Sequence, residues 1–269
     1  MNRNDLLIEA DELMEKMGSD NLRIFDASIV EDIYEMGHIP GSVYFDHTRF
    51  SDPNSPYEVT ISPEALLAEQ IGNAGISNDT EVVLYAPGML PYAIRAWWVL
   101  WYAGHRNVRV LNGGLDAWKL AGGQIVTEKY SYAPATFKSN FTPSMFVTKE
   151  DVLDSLKDEN SVVVNVMPPL SYEGKHITGS VCVSSMDLMI GMDALKPNDQ
   201  LALQLQETAQ KNRIITYCGG GIAATVNAAA HLITGHANVA VYDGSLYEWL
   251  AEGLPSEGTG KWEIWKQAA

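Results

Sequence analysis

Apolar residues along this chain come in short runs separated by longer amphipathic stretches, and the alternation continues from end to end. Val82-Val83-Leu84-Tyr85 and Val108-Arg109-Val110-Leu111 read as buried strands, with a helical stretch from Tyr92 to Tyr102 between them. Further on, Ser161-Val162-Val163-Val164-Asn165, Arg213-Ile214-Ile215-Thr216-Tyr217 and the run from Ala237 to Tyr242 have the same strand character. An Ala-rich helix is predicted over 223–233, with Gly235 at its C-terminal cap. Strand, helix, strand in this rhythm predicts an α/β architecture built on a parallel-rich sheet flanked by helices.

The rhythm occurs twice because the sequence does. Gly104-His105-Arg106-Asn107-Val108-Arg109-Val110-Leu111-Asn112-Gly113-Gly114-Leu115-Asp116-Ala117-Trp118 returns as Gly235-His236-Ala237-Asn238-Val239-Ala240-Val241-Tyr242-Asp243-Gly244-Ser245-Leu246-Tyr247-Glu248-Trp249, an offset of 131 without a gap. Nine of the 21 positions from Gly104 to Gln124 are identical to their partners at 235–255. Gly37-His38-Ile39-Pro40-Gly41-Ser42 similarly matches Lys175-His176-Ile177-Thr178-Gly179-Ser180. A period this long is no solenoid repeat; it is a duplicated domain. The predicted organisation is a first domain over 1–125, a linker over 126–144 around Tyr130-Ser131-Tyr132-Ala133-Pro134, and a second domain over 145–269.

Composition narrows the chemistry. Apolar residues make up 46% and charged residues 19% of 269, enough to bury a core in each domain. The longest apolar run, Ala96 to Gly104, is nine residues, against the roughly 18–20 that a membrane span needs. Met1-Asn2-Arg3-Asn4-Asp5 has no signal-peptide pattern, so a cytoplasmic protein without membrane contact is expected. Net charge is -16, divided as -10 over 1–125 and -6 over 126–269, which argues against nucleic acid as a partner. Two cysteines, Cys182 and Cys218, make no disulfide framework. The six histidines lack metal-ligand spacing, so neither a metal nor another cofactor is expected.

The two copies part company at one place. Tyr85 and Tyr217 occupy equivalent positions, but the next residue is Ala86 in the first copy and Cys218 in the second. Cys218 therefore ends a strand, is followed by Gly219-Gly220-Gly221-Ile222-Ala223, and precedes a helix. The carboxyl ends of strands in an open parallel sheet face the ligand crevice. Glycines let the loop curl with its N–H groups inward, and the helix N-terminus adds partial positive charge. Both effects favour a thiolate nucleophile at Cys218. Cys182 lies in the alternating stretch Ser180-Val181-Cys182-Val183 and is predicted to be core.

These residues resemble the two-domain rhodanese-type sulfurtransferases. The motifs that carry the likeness are Phe25-Asp26-Ala27-Ser28, Gly37-His38-Ile39-Pro40-Gly41-Ser42, Ala93-Ile94-Arg95-Ala96-Trp97-Trp98 and Val110-Leu111-Asn112-Gly113-Gly114-Leu115-Asp116-Ala117-Trp118. The resemblance implies two tandem rhodanese-like domains, the first lacking the catalytic cysteine, in agreement with Ala86. It also implies a ping-pong reaction. Cys218 would take a sulfane sulfur from a small anionic donor, thiosulfate or 3-mercaptopyruvate, and pass it from a persulfide to a thiol or cyanide. The loop residues Gly219, Gly220, Gly221, Ile222 and Ala223 would hold the persulfide. The family's second domain usually opens with Asp-Ala-Arg, whose Arg holds the donor; here Asn165-Val166-Met167 stands in its place, leaving Lys175 as the nearby cation. A weak hold on anionic donors is the consequence expected.

Other candidates read as structural. His38 and His176, like His105 and His236, recur in the copy without a cysteine, and Trp97, Trp98 and Trp101 belong to the core or an interface. Arg49 and Arg95 are further candidate cations for the cleft between the domains, although an Arg is more often a surface or salt-bridged residue. Related phosphatases need an Arg six residues after the cysteine, where this chain has Ala224. The competing class is a degenerate, non-catalytic sulfur carrier or binding module, which cyanolysis separates from an enzyme.

Overall fold

The computed structural model describes residues 1–267 and places the predicted apolar runs in two sheets of identical strand order. The first unit comprises Met1–Asn54, Ile61–Thr142 and Ile190–Leu195. Its elements are α1 (Arg3–Leu6), β1 (Leu7–Ile8), α2 (Ala10–Lys16), β2 (Leu22–Asp26), α3 (Glu31–Met36), β3 (Ser42–Tyr44), α4 (Glu64–Asn73), β4 (Glu81–Tyr85), α5 (Leu90–Tyr102), β5 (Val108–Leu111) and α6 (Gly114–Leu120). The strands run parallel in the order β1-β5-β4-β2-β3, and the helices flank them.

The central strand β4 is apolar on both faces because both are covered: Val82, Val83, Leu84 and Tyr85 are all fully buried. On one side Ile8, Leu13, Ile24, Tyr85, Leu111 and Trp118 form a continuous core. Helix α5 packs against β4 and β5 with Trp97 and Trp98 fully buried, and the Trp97 indole donates to the Val108 carbonyl at 3.1 Å. The helix starts two residues earlier than its apolar pattern suggests, at Leu90, because Pro91 falls in the first turn, where a missing N–H costs nothing.

Residues 127–142 contain no helix or strand and lie along the first unit, with Ala135 N–H on the Gly72 carbonyl and Asn140 N–H on the Ala103 carbonyl. The close approach requires Gly104, whose φ is +99° and whose absent Cβ would stand 2.6 Å from the Asn140 carbonyl oxygen.

The second unit comprises Ser55–Thr60, Pro143–Met189 and the chain from Lys196 onward. The elements after the linker are β6 (Phe146–Val147), α7 (Lys149–Ser155), β7 (Ser161–Asn165), α8 (Pro169–Gly174), β8 (His176–Ile177), β9 (Val181–Cys182), β10 (Met189–Ile190), β11 (Ala194–Leu195, which belongs to the first unit), α9 (Asn198–Leu205), β12 (Arg213–Tyr217), α10 (Ala224–Ile233), β13 (Val239–Tyr242), α11 (Ser245–Ala251) and β14 (Ser256–Glu257). The parallel sheet β6-β13-β12-β7-β9 repeats the first sheet strand for strand, down to the register: Asn165 lies opposite Tyr217 as Asp26 lies opposite Tyr85. Strand β14 pairs antiparallel with β8.

The paired motifs around His38 and His176 explain themselves here. The His38 ring stacks on Tyr34 at 3.8 Å and bonds the Tyr34 carbonyl at 2.8 Å; His176 does the same with Tyr172 at 3.8 Å and 2.7 Å. The following Ile N–H donates to a buried tyrosine hydroxyl, Ile39 to Tyr85 at 3.1 Å and Ile177 to Tyr217 at 2.9 Å. Both histidines are structural, as their recurrence implies.

Candidate active site

Cys218 sits directly after β12, flanked in the sheet by β7 and β13, and is 5% exposed. Its Sγ accepts the Gly221 N–H at 3.2 Å, so the loop closes over the sulfur. Of the loop glycines it is Gly221 that takes a left-handed conformation, φ +86°. A Cβ there would stand 2.7 Å from the Asp243 carbonyl oxygen and 2.9 Å from Asp243 Oδ1, so both its backbone and its space demand glycine. Three residues beyond Gly221 the ten-residue α10 begins, with Ala223 as its cap, and its N-terminal partial charge adds to the loop N–H.

The other wall is the first turn of α11. Cys218 N–H donates to Ser245 Oγ at 3.2 Å, and Ser245 Oγ donates in turn to the Tyr242 carbonyl at 2.8 Å. The N–H groups of Leu246 and Tyr247 donate to the carbonyls of Cys218 and Gly219, at 3.1 and 3.0 Å. Among the described residues Ser245 is the one non-glycine with positive φ, 51°. Its partner in the first copy, Gly114, has φ 53° beside a loop that lacks the cysteine. The same backbone is thus made without strain where there is no thiol, and with a strained serine where the hydroxyl can hold the cysteine's N–H. Ser245 was not picked out from the sequence; the Gly114/Ser245 mismatch within the repeat was the signal available.

The loss of the family's Asp at position 165 proves to be geometrically silent. Asp26 Oδ1 accepts the Ser28 N–H at 2.9 Å, and Asn165 Oδ1 accepts the Met167 N–H at 2.9 Å, forming the same side-chain-to-backbone turn. The Asp26 carboxyl is pushed above the usual carboxylate range by burial; the asparagine makes the turn with no charge to bury. Met167 is 3% exposed and brings no cation to its position.

Lys175 donates its ammonium to the Gly258 carbonyl at 2.8 Å, beside the β8–β14 pair, and Arg213 binds Asn238. In the first unit Arg95 is buried on α5, whereas Arg49 is 80% exposed and meets Asp46 at 3.5 Å. Cys182 differs from the core position its alternating neighbours suggest. Strand β9 is two residues long and lies at the sheet edge, so the thiol is half-buried and donates to the Met167 carbonyl at 3.6 Å. Burial, with Asp187 and Glu173 nearby, pushes this thiol up to about 11 and keeps it protonated at neutral pH. Among the described residues no group of three or more His, Cys, Asp or Glu is placed to hold a metal, and no helix is long and apolar enough to cross a membrane.

With this geometry in hand, the likeness to known proteins is informative. The rhodanese-like domain family matches residues 9–121 and again 148–252. The thiosulfate sulfurtransferase of Mus musculus is 34% identical over 258 residues, covering 87% of each chain. The 3-mercaptopyruvate sulfurtransferase of Rattus norvegicus is 30% identical over 274 residues, 95% of this chain and 89% of its own. The crystal structure of the 3-mercaptopyruvate sulfotransferase SseA from Escherichia coli superposes with a TM-score of 0.81 at 28% identity, covering 89% of this chain and 98% of that one.

Proposed function

Because the chain belongs to the rhodanese family of sulfurtransferases, we propose that Cys218 is its nucleophile and that it carries sulfur as a persulfide taken from thiosulfate or 3-mercaptopyruvate. The observation that carries the reading is the 3.2 Å bond from Gly221 N–H to Cys218 Sγ at the carboxyl end of a central parallel strand. A neutral amide aimed at sulfur stabilises the anion present at the start and end of each half-reaction more than any neutral form.

The chemistry is two displacements at sulfur. The Cys218 thiolate attacks the outer sulfur of thiosulfate, an S–S bond forms, and the donor's S–S bond breaks with its electron pair leaving on sulfite. With 3-mercaptopyruvate the C–S bond breaks instead, and the carbon, taking a proton, leaves as pyruvate. Cyanide or a thiolate then attacks the outer persulfide sulfur, and the thiolate of Cys218 leaves. No net oxidation of the protein occurs. Gly221 N–H and the N-terminus of α10 hold the negative charge, and Ser245 Oγ fixes the Cys218 backbone so that Sγ keeps its aim. Purified protein given either donor with cyanide is expected to release thiocyanate, and Cys218→Ser to release none. Thiocyanate from Cys218→Ser, or none from the wild-type chain with either donor, would overturn the proposal.

A further inference from the structure

We infer that Tyr247 is a positioning residue for the persulfide loop, braced from behind by the C-terminal strap that follows β14; the inference rests on the role of Cys218 proposed above. Tyr247 touches the loop twice. Its N–H donates to the Gly219 carbonyl at 3.0 Å, and its ring covers the place a side chain at Gly220 would take, with Cδ2 3.3 Å from where that Cβ would be. The glycine and the ring are complementary: the loop gives up a side chain and an aromatic wall from α11 fills the space.

The ring is itself held. Its hydroxyl donates to Glu263 Oε1 at 2.6 Å, the Trp262 ring meets it edge-on at 5.0 Å, and Lys266 Nζ lies 5.2 Å from its centroid while pairing with Glu263 at 2.6 Å. The strap carrying these residues is tied down in turn. Strand β14 pairs with β8, Gly260 N–H donates to the Gly174 carbonyl at 3.0 Å, and the Lys175 ammonium holds the Gly258 carbonyl. A chain of contacts therefore runs from Lys175 through Gly258, Glu263 and the Tyr247 ring to Gly220. The first copy has Asp116 at the position of Tyr247, its side chain 82% exposed, beside the loop that holds Ala86. The ring is found in the copy that has a thiol to aim.

The test compares Tyr247→Phe, which keeps the wall and loses the anchor, Tyr247→Ala, which loses both, Glu263→Met, which keeps the side-chain length and loses the acceptor, and the Tyr247→Phe/Glu263→Met double variant. Each is read by kcat and KM for cyanolysis, by the rate of Cys218 alkylation with iodoacetamide, and by thermal melting. Tyr247→Phe and Glu263→Met are each expected to lower kcat about threefold to tenfold with KM unchanged, the size of one partly exposed hydrogen bond. The double variant should be no slower than the slower single one, because both remove one bond. Tyr247→Ala should fall further and change the alkylation rate. Wild-type kcat and alkylation in Tyr247→Phe, additive effects in the double variant, or losses tracking melting temperature alone would overturn the inference. Alkylation reads the loop whether or not sulfur is transferred. A failure of the Cys218 proposal, seen as transfer persisting in Cys218→Ser, is therefore distinguishable from a failure of this one.

Discussion

Gly221→Ala probes the loop at its most constrained point. An L-residue held at φ +86° costs about 1–2 kcal/mol relative to glycine. The new methyl would also lie 2.7 Å from the Asp243 carbonyl oxygen and 2.9 Å from its carboxylate, so the loop must shift away from β13. Together these place the destabilisation at about 2–4 kcal/mol, or roughly 7–15 °C in the melting temperature of a unit of this size. The shift also takes the Gly221 N–H off Cys218 Sγ, and removing one such donor from an anionic centre typically lowers turnover about a hundredfold. Urea unfolding and cyanolysis, run side by side, separate the two effects. Gly220→Ala is the comparison: its φ lies outside the left-handed range, so it adds no backbone strain, but its Cβ would press the edge of the held Tyr247 ring at 3.3 Å, and its cost should be about 1 kcal/mol, below that of Gly221→Ala. Wild-type stability and turnover in Gly221→Ala would show that neither the left-handed backbone nor the amide–sulfur bond matters as argued.

Ser245→Gly should leave stability within about 1 kcal/mol, since relief of backbone strain offsets the lost hydrogen bonds, while kcat falls about tenfold; urea titration and cyanolysis check both. Lys175→Ala should cost about 1 kcal/mol of stability through the Gly258 carbonyl and leave donor KM unchanged. A raised KM would instead put that ammonium at the donor. Burial holds His47, His105 and His231 neutral, each pushed down to about 4, while their unfolded imidazoles take up protons near 6.5. The unfolded state then binds more protons than the folded one as pH falls from 6.5 towards 4. Stability contributed by these groups is present above pH 6.5 and lost on acidification, seen as a falling urea midpoint.

What could be read in the sequence was what periodicity and duplication record. The repeated strand runs gave the two parallel sheets, and the Ala86/Cys218 difference picked out the loop. Hidden from it were features set by contacts across long stretches of chain. The Ser245 hydroxyl reaches Cys218 only because α11 starts with a left-handed residue, and that φ leaves no mark in composition. Asn165 stands where the resemblance expects an Asp, yet its turn is the one Asp26 makes in the first copy, because an amide oxygen accepts the Met167 N–H as a carboxylate would. Cys182 was misplaced because alternation signals a strand without saying whether it lies at an edge. Tyr247 lies inside the repeat motif, and the strap beyond β14 that holds its ring has no counterpart in that pattern.

In the proposed reaction sulfur travels on Cys218. Incubating the protein with thiosulfate or 3-mercaptopyruvate, digesting it under non-reducing conditions and weighing the peptides tests this directly. One added sulfur atom on the peptide containing Cys218, removed by cyanide with release of thiocyanate, is the predicted result. The added sulfur on the Cys182 peptide, or on neither cysteine while thiocyanate still forms, would contradict the account.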